Sequence, residues 1–138
     1  MKLIAKRKEL VPRFKTEGSG AFDLLCDIPH TVFIKPNQLL KIPTGLFMEI
    51  PKGYVGEISE RSSQFIRGLL VRGKIDCDFR GEVHILVRNV SDHRIVIDPA
   101  ISICQMQITP YRFDIMEVVT QLDETARGDG GFGHTDNL

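Results

Sequence analysis

The sequence predicts an all-β fold, on three observations. Turn residues recur at short intervals: Pro29, Pro36, Pro43, Gly45, Pro51, Gly53, Gly56, Gly68, Gly73, Gly81, Pro99 and Pro110 leave pieces mostly too short for a good helix. Between them lie short apolar or alternating runs, at residues 31–34, 38–42, 82–87, 94–97 and 101–108. No apolar stripe of helical period runs on for more than a few turns. Short strands at near-regular spacing describe a sandwich, a barrel or a jelly roll.

Each run reads as one strand, and the clearest is 82–87, where Val83, Ile85 and Val87 alternate with Glu82, His84 and Leu86. The one helical signal is Ser62-Ser63-Gln64-Phe65-Ile66-Arg67-Gly68, with serines to cap it, an apolar pair and a glycine stop. Residues 1–123 form the predicted domain. Residues 124–138 are rich in glycine with little to bury, and are expected to form a mobile arm unless a ligand or neighbouring subunit orders them.

A chain of 138 residues, 42% hydrophobic and 26% charged, makes one ordinary globular domain. Eighteen basic and eighteen acidic residues cancel, so no global field draws the chain to nucleic acid. No run approaches the roughly 20 apolar residues that cross a bilayer, so no membrane role is expected. Lys6, Arg7 and Lys8 interrupt any signal-peptide core. Cys26, Cys77 and Cys104 are odd in number and far apart, which predicts reduced thiols and a cytoplasmic protein.

Three segments could carry chemistry. In the first, a strand leads into Arg61-Ser62-Ser63, where a guanidinium, two hydroxyls and the free N–H groups of a helix start all favour an anionic oxygen. In the second, Gly73-Lys74-Ile75-Asp76-Cys77-Asp78-Phe79-Arg80-Gly81-Glu82, a continued strand sets Ile75, Cys77 and Phe79 on one face and Asp76 and Asp78 on the other. Such a carboxylate can act as general base on water. In the third, the glycines of Arg127 to Thr135 let successive N–H groups wrap an anion, while Phe132 could cover a flat ring. Taken singly, each has a plainer reading: a surface arginine by a helix cap, a solvated strand face, a flexible tail. Together they suit a phosphorylated ligand with a planar base and a water to activate.

In this combination the sequence resembles the trimeric dUTPase family over nearly its whole length. Five ordered motifs carry the resemblance: Ser19-Gly20-Ala21-Phe22-Asp23-Leu24; Gly56-Glu57-Ile58 through Arg61-Ser62-Ser63; Ile75-Asp76-Cys77-Asp78-Phe79-Arg80-Gly81-Glu82-Val83; Ile103-Cys104-Gln105-Met106; and Arg127 to Thr135. The resemblance implies a β jelly roll of the β-clip kind, a homotrimer with active sites at the subunit interfaces, and hydrolysis of dUTP to dUMP and pyrophosphate with Mg2+ on the triphosphate. It implies Asp76 as the base, Arg61, Ser62, Ser63 and Gln105 along the phosphates, and Arg127 with Gly133, His134 and Thr135 at the γ end. Phe132 would stack on uracil, Gly73, Lys74 and Ile75 would contact the substrate, and Asp23 would reach the metal through water.

The pattern departs in four places. Phe79 stands where tyrosine is usual, so its ring should still pack on deoxyribose without the hydroxyl. The run from Arg61 to Asp76 is short, and the missing length falls in residues 68–73, read as the hairpin that meets the uracil edge. Ala100-Ile101-Ser102 replaces the usual Gly-Asp-Arg, and His134 and Asp136 stand for serine and glycine. Two other readings remain open. A dCTP deaminase shares the fold, but its proton-handling glutamate aligns with Leu86, which cannot transfer a proton. A non-catalytic nucleotide-binding or regulatory protein would bind nucleotide without releasing pyrophosphate.

Overall fold

A computed structural model describes residues 1–131. In chain order the elements are β1 (Lys2–Ala5), a 3-10 turn (Lys8–Leu10), β2 (Phe22–Leu25), β3 (Val32–Ile34), β4 (Leu39–Glu49), β5 (Tyr54–Glu60), α1 (Ser62–Ile66), β6 (Leu69–Ile75), β7 (Glu82–Asn89), β8 (Ile95–Ile97) and β9 (Ser102–Pro110). The predicted all-β jelly roll with one short helix is the fold observed. Seven strands form one curled antiparallel sheet in the order β1-β4-β7-β6-β5-β9-β2, and β3 pairs with β8.

The curl is made by β6. Its first half, Leu69 to Val71, pairs with β7, and its second half, Arg72 to Ile75, pairs with β5. Beyond Val71, therefore, β6 and β7 part and leave a cleft between them. Period-two alternation fills the interior: Val83, Ile85 and Val87 of β7 are fully buried, as are Leu69 and Val71 of β6 and Leu24 of β2. Asn89 is also buried, and it is satisfied on every side. Its Nδ2 donates to the carbonyls of Ile34 (2.9 Å) and His93 (2.7 Å), while Oδ1 accepts from the Ser91 amide and hydroxyl.

Four local expectations change. The strand expected at 38–42 continues through Pro43 and Gly45 to Glu49, because the pairing with β7 shifts register between Pro43 and Phe47. Gly45 sits at φ +67° and donates to Glu82 Oε1; a Cβ there would lie 2.6 Å from Leu10 Cδ1. Residues 76–79 do not extend the strand. The Phe79 amide donates to the Asp76 carbonyl at 3.1 Å, and the Arg80 guanidinium donates to the Cys77 and Phe79 carbonyls, which closes a turn. Residues 69–73 are not a hairpin, since they lie inside β6. Finally, α1 is capped by Arg61 and no side chain bonds its free N–H groups; Ser62 and Ser63 are its first two residues.

After β9 no strand or helix occurs among the described residues. The apolar side chains that follow find no cover in this chain: Phe113 is 85% exposed, Ile115 92% and Val118 98%.

Candidate active site

Two groups of residues stand out, and the sheet order explains both. The first forms where β2, β9 and β5 run side by side. Asp23 on β2 is opposite Gln105 on β9, and Gln105 is opposite Ser59 on β5. Arg61 follows β5 directly; its Nε lies 3.5 Å from Asp23 Oδ1, and its Nη1 donates to the Ser102 carbonyl at 3.4 Å. Lys15 brings its Nζ to 3.6 Å from Asp23 Oδ2. That oxygen is buried and accepts no hydrogen bond, an arrangement that leaves room for one more donor. Ser62 and Ser63, both exposed, complete this group at the start of α1. It offers an anion one guanidinium, hydroxyls and an amide side chain.

The second group lies in the cleft where β6 and β7 part, an open cavity of about 380 Å³. Lys74, Ile75, Asp76 and Phe79 line one side, and Lys41, Glu82, His84 and Leu86 line the other. Asp76 is exposed at the strand end, where a water can reach it. The Phe79 ring folds over Gly81, which has no side chain to obstruct it. Glu82 is held among polar partners. Burial opposes its ionisation, but the hydrogen bond from Lys6 and the Gly45 amide outweigh that and keep its carboxyl below the usual range.

Gly73 and Lys74 also border a second open cleft, with Ser59, Arg72 and Gln105, so this edge of β6 links the two groups. Asp76 and Arg61 nevertheless belong to opposite ends of it. Ile75 pairs with Gly56 whereas Arg61 lies beyond Ser59, so at about 3.3 Å per residue the Asp76 carboxylate and the Arg61 guanidinium stand roughly 15–20 Å apart along the strand. Arg127 joins neither group, and its Nε donates to the Gly130 carbonyl at 2.8 Å. Phe132, Gly133, His134 and Thr135 lie outside the described residues.

Sequence reading overlooked Lys41, His84 and Lys15. The alternation of β7 could have indicated His84, since it shares an outward face with Glu82 and Leu86. Lys41 becomes a neighbour only through the β4–β7 register, which sets it opposite Leu86. The thiols are free, and burial pushes Cys26 up to about 12.

Comparison with known proteins identifies the family. The family model described as dUTPase matches residues 7–136. The deoxyuridine 5'-triphosphate nucleotidohydrolase of Finegoldia magna is 39% identical, over 98% of this chain and 97% of its own. That of Syntrophotalea carbinolica is 36% identical, over 93% and 90%. Among solved structures, the Staphylococcus bacteriophage 80alpha dUTPase with dUPNHPP matches with a TM-score of 0.87 at 22% identity, over 97% of this chain and 96% of that one. A mutant dUTPase of phage phi11, described with a structural Mg(II) ion, matches with a TM-score of 0.79 at 18% identity, over 89% and 98%. The all-β fold places the chain among the jelly rolls. It belongs to the dUTPase family.

Proposed function

We propose that the chain hydrolyses dUTP to dUMP and pyrophosphate, as a homotrimer whose active sites lie between subunits. The observation that carries this is the division of labour in one chain. Asp76 and Phe79 form a cleft suited to a nucleoside and an attacking water, while Arg61, Gln105 and the serines form a separate anion site on the other side of β5. One nucleotide meets both kinds of group if neighbouring copies each contribute one. The uncovered apolar run from Phe113 to Leu122 supports the same reading, because a neighbouring subunit would bury it.

In this mechanism Phe79 packs on the deoxyribose, and Gly73, Lys74 and Ile75 meet the base. Asp76 takes a proton from water as its oxygen attacks the α-phosphorus, and the bond to the bridging oxygen breaks to release pyrophosphate. Arg61, Ser62, Ser63 and Gln105 hold the phosphates, and Arg127 with Gly133, His134 and Thr135 holds the γ end. Phe132 closes on uracil, and the arm of residues 124–138 excludes water when substrate is present.

Bound Mg2+ would neutralise triphosphate charge and so favour attack by water. The residues present fit it: Asp23 Oδ2, buried without a hydrogen bond, is an acceptor for a water of the hydrated ion. Three unbridged thiols agree with a cytoplasmic location.

The test is pyrophosphate release from a panel of deoxynucleoside triphosphates, with and without magnesium. Turnover of dUTP with magnesium, far above the others, is expected. Binding of dUTP without pyrophosphate release, or ammonia release from dCTP, would contradict the proposal.

A further inference from the structure

We infer that Lys15 is a built-in counter-cation for Asp23, one that covers the carboxylate until a divalent ion arrives and then gives way to it. The assignment deepens the proposed function and rests on Asp23 accepting a water of hydrated Mg2+. Asp23 is wedged between two cations: its Oδ1 is 3.5 Å from Arg61 Nε, and its Oδ2 is 3.6 Å from Lys15 Nζ. Its side chain is 12% exposed, and Oδ2 is buried without a hydrogen bond among the described residues. At 3.6 Å the Lys15 ammonium lies just outside hydrogen-bond distance, so it compensates the charge of that oxygen without occupying its lone pairs.

The two cations differ in how they are held. Arg61 also reaches the Ser102 carbonyl, which ties it to β9. Lys15 has an anchored backbone and a loose side chain. Before it, the Phe14 ring stands edge-on to Phe22, the residue preceding Asp23 on β2, with 5.5 Å between centroids. After it, Thr16 and Ser19 close a turn: Ser19 Oγ accepts from the Thr16 amide at 3.0 Å, and the Ser19 amide donates to the Thr16 carbonyl at 3.1 Å. The Lys15 side chain itself is 71% exposed. An open cleft of about 350 Å³, which Lys15 and Asp23 line together with Glu9 and Arg13, gives the ammonium room to withdraw and a carboxylate to face.

This arrangement acts in opposite senses in the two metal states. Without the ion, Lys15 offsets Asp23, so a triphosphate drawn to Arg61 does not meet a bare carboxylate. With the ion, Lys15 opposes its approach, because both are cations drawn to one oxygen. Lys15 therefore sets how steeply nucleotide binding depends on metal.

The experiment measures the dissociation constant of dUPNHPP, whose imido bridge resists cleavage, in EDTA and in saturating Mg2+. Alongside it, Mn2+ uptake by the protein–dUPNHPP complex is read from the electron paramagnetic resonance of the free ion. Lys15→Met should weaken dUPNHPP by about two- to fivefold in EDTA, leave it unchanged in Mg2+, and tighten Mn2+ by the same factor. Lys15→Arg, which keeps the charge, should stay near the wild type. In an Asp23→Asn background Lys15→Met should have no such effect. Equal losses in EDTA and Mg2+, unaltered Mn2+ uptake, or an effect that survives Asp23→Asn, in a protein whose wild type binds dUPNHPP, overturn the inference and leave the proposed function standing. A wild type that binds no dUPNHPP overturns both.

Discussion

Replacing Gly81 by alanine would move the Phe79 ring while leaving Asp76 untouched. A Cβ at position 81 would stand 2.6 Å from Phe79 Cζ, 3.0 Å from Cε2 and 3.4 Å from Cε1. Carbon atoms in ordinary contact lie about 3.5–4.0 Å apart, so the ring must withdraw by roughly 1 Å. It can do so cheaply, because Phe79 is 42% exposed and ends in solvent. Stability should therefore change by no more than about 0.5 kcal/mol. Packing of the ring on the sugar, taken as worth about 0.5–1.5 kcal/mol as for an aromatic pair, would be forfeited, which corresponds to about a twofold to tenfold rise in KM for dUTP. A ring packed on the deoxyribose leaves no room for a 2′-hydroxyl, so displacing it should also weaken discrimination against UTP. Steady-state kinetics on dUTP and UTP, with a thermal melt as control, measures both. A folded Gly81→Ala protein with wild-type KM and undiminished preference for the deoxy sugar would refute the placing of deoxyribose on Phe79.

Three further outcomes are expected. Asp76→Asn should still bind dUTP but turn over at least ~10²-fold more slowly, and near-normal single-turnover rates would remove Asp76 as the base. Deleting residues 128–138 should leave the melting temperature almost unchanged, because residues 121–129 are already exposed, yet should sharply reduce turnover; unfolding on deletion would make the arm structural. Stability should fall on acidification from the ordinary carboxylate range downwards. Burial opposes the ionisation of Glu60 and Glu82, but the Val71 amide and Arg72 in the first, and Lys6 and the Gly45 amide in the second, depress both carboxyls. Groups with depressed values stabilise the fold when ionised and lose that contribution as pH drops through the folded value. Urea midpoints between neutral pH and pH 3 check this, and Glu82→Gln should flatten the profile.

The fold was legible wherever burial followed period two, as in β7, because alternation needs only neighbours along the chain. It was illegible where a distant partner decides the backbone. The passage of β4 through Pro43 and Gly45 depends on a register shift against β7 and on the Glu82 carboxylate. The end of β6 at Ile75 depends on Arg80 holding two carbonyls. The site was legible as motifs and not as geometry. Asp23 and Arg61 are far apart in sequence and meet only because β2, β9 and β5 are adjacent. Lys41 reaches the Asp76 cleft by the β4–β7 register alone. The apolar residues from Phe113 to Leu122 gave no warning that they would stand clear of the body, since composition does not say which chain will cover them.

Mixing two inactive variants tests most directly whether copies of this chain share their sites. Asp76→Asn and Arg61→Ala chains, unfolded together and refolded at equal ratio, can each supply what the other lacks. If Asp76 and Arg61 of one site come from different subunits, random assembly leaves about a quarter of the sites intact, and dUTP hydrolysis should return to that order. A mixture that forms the same oligomer yet stays as inactive as either variant alone would contradict the account.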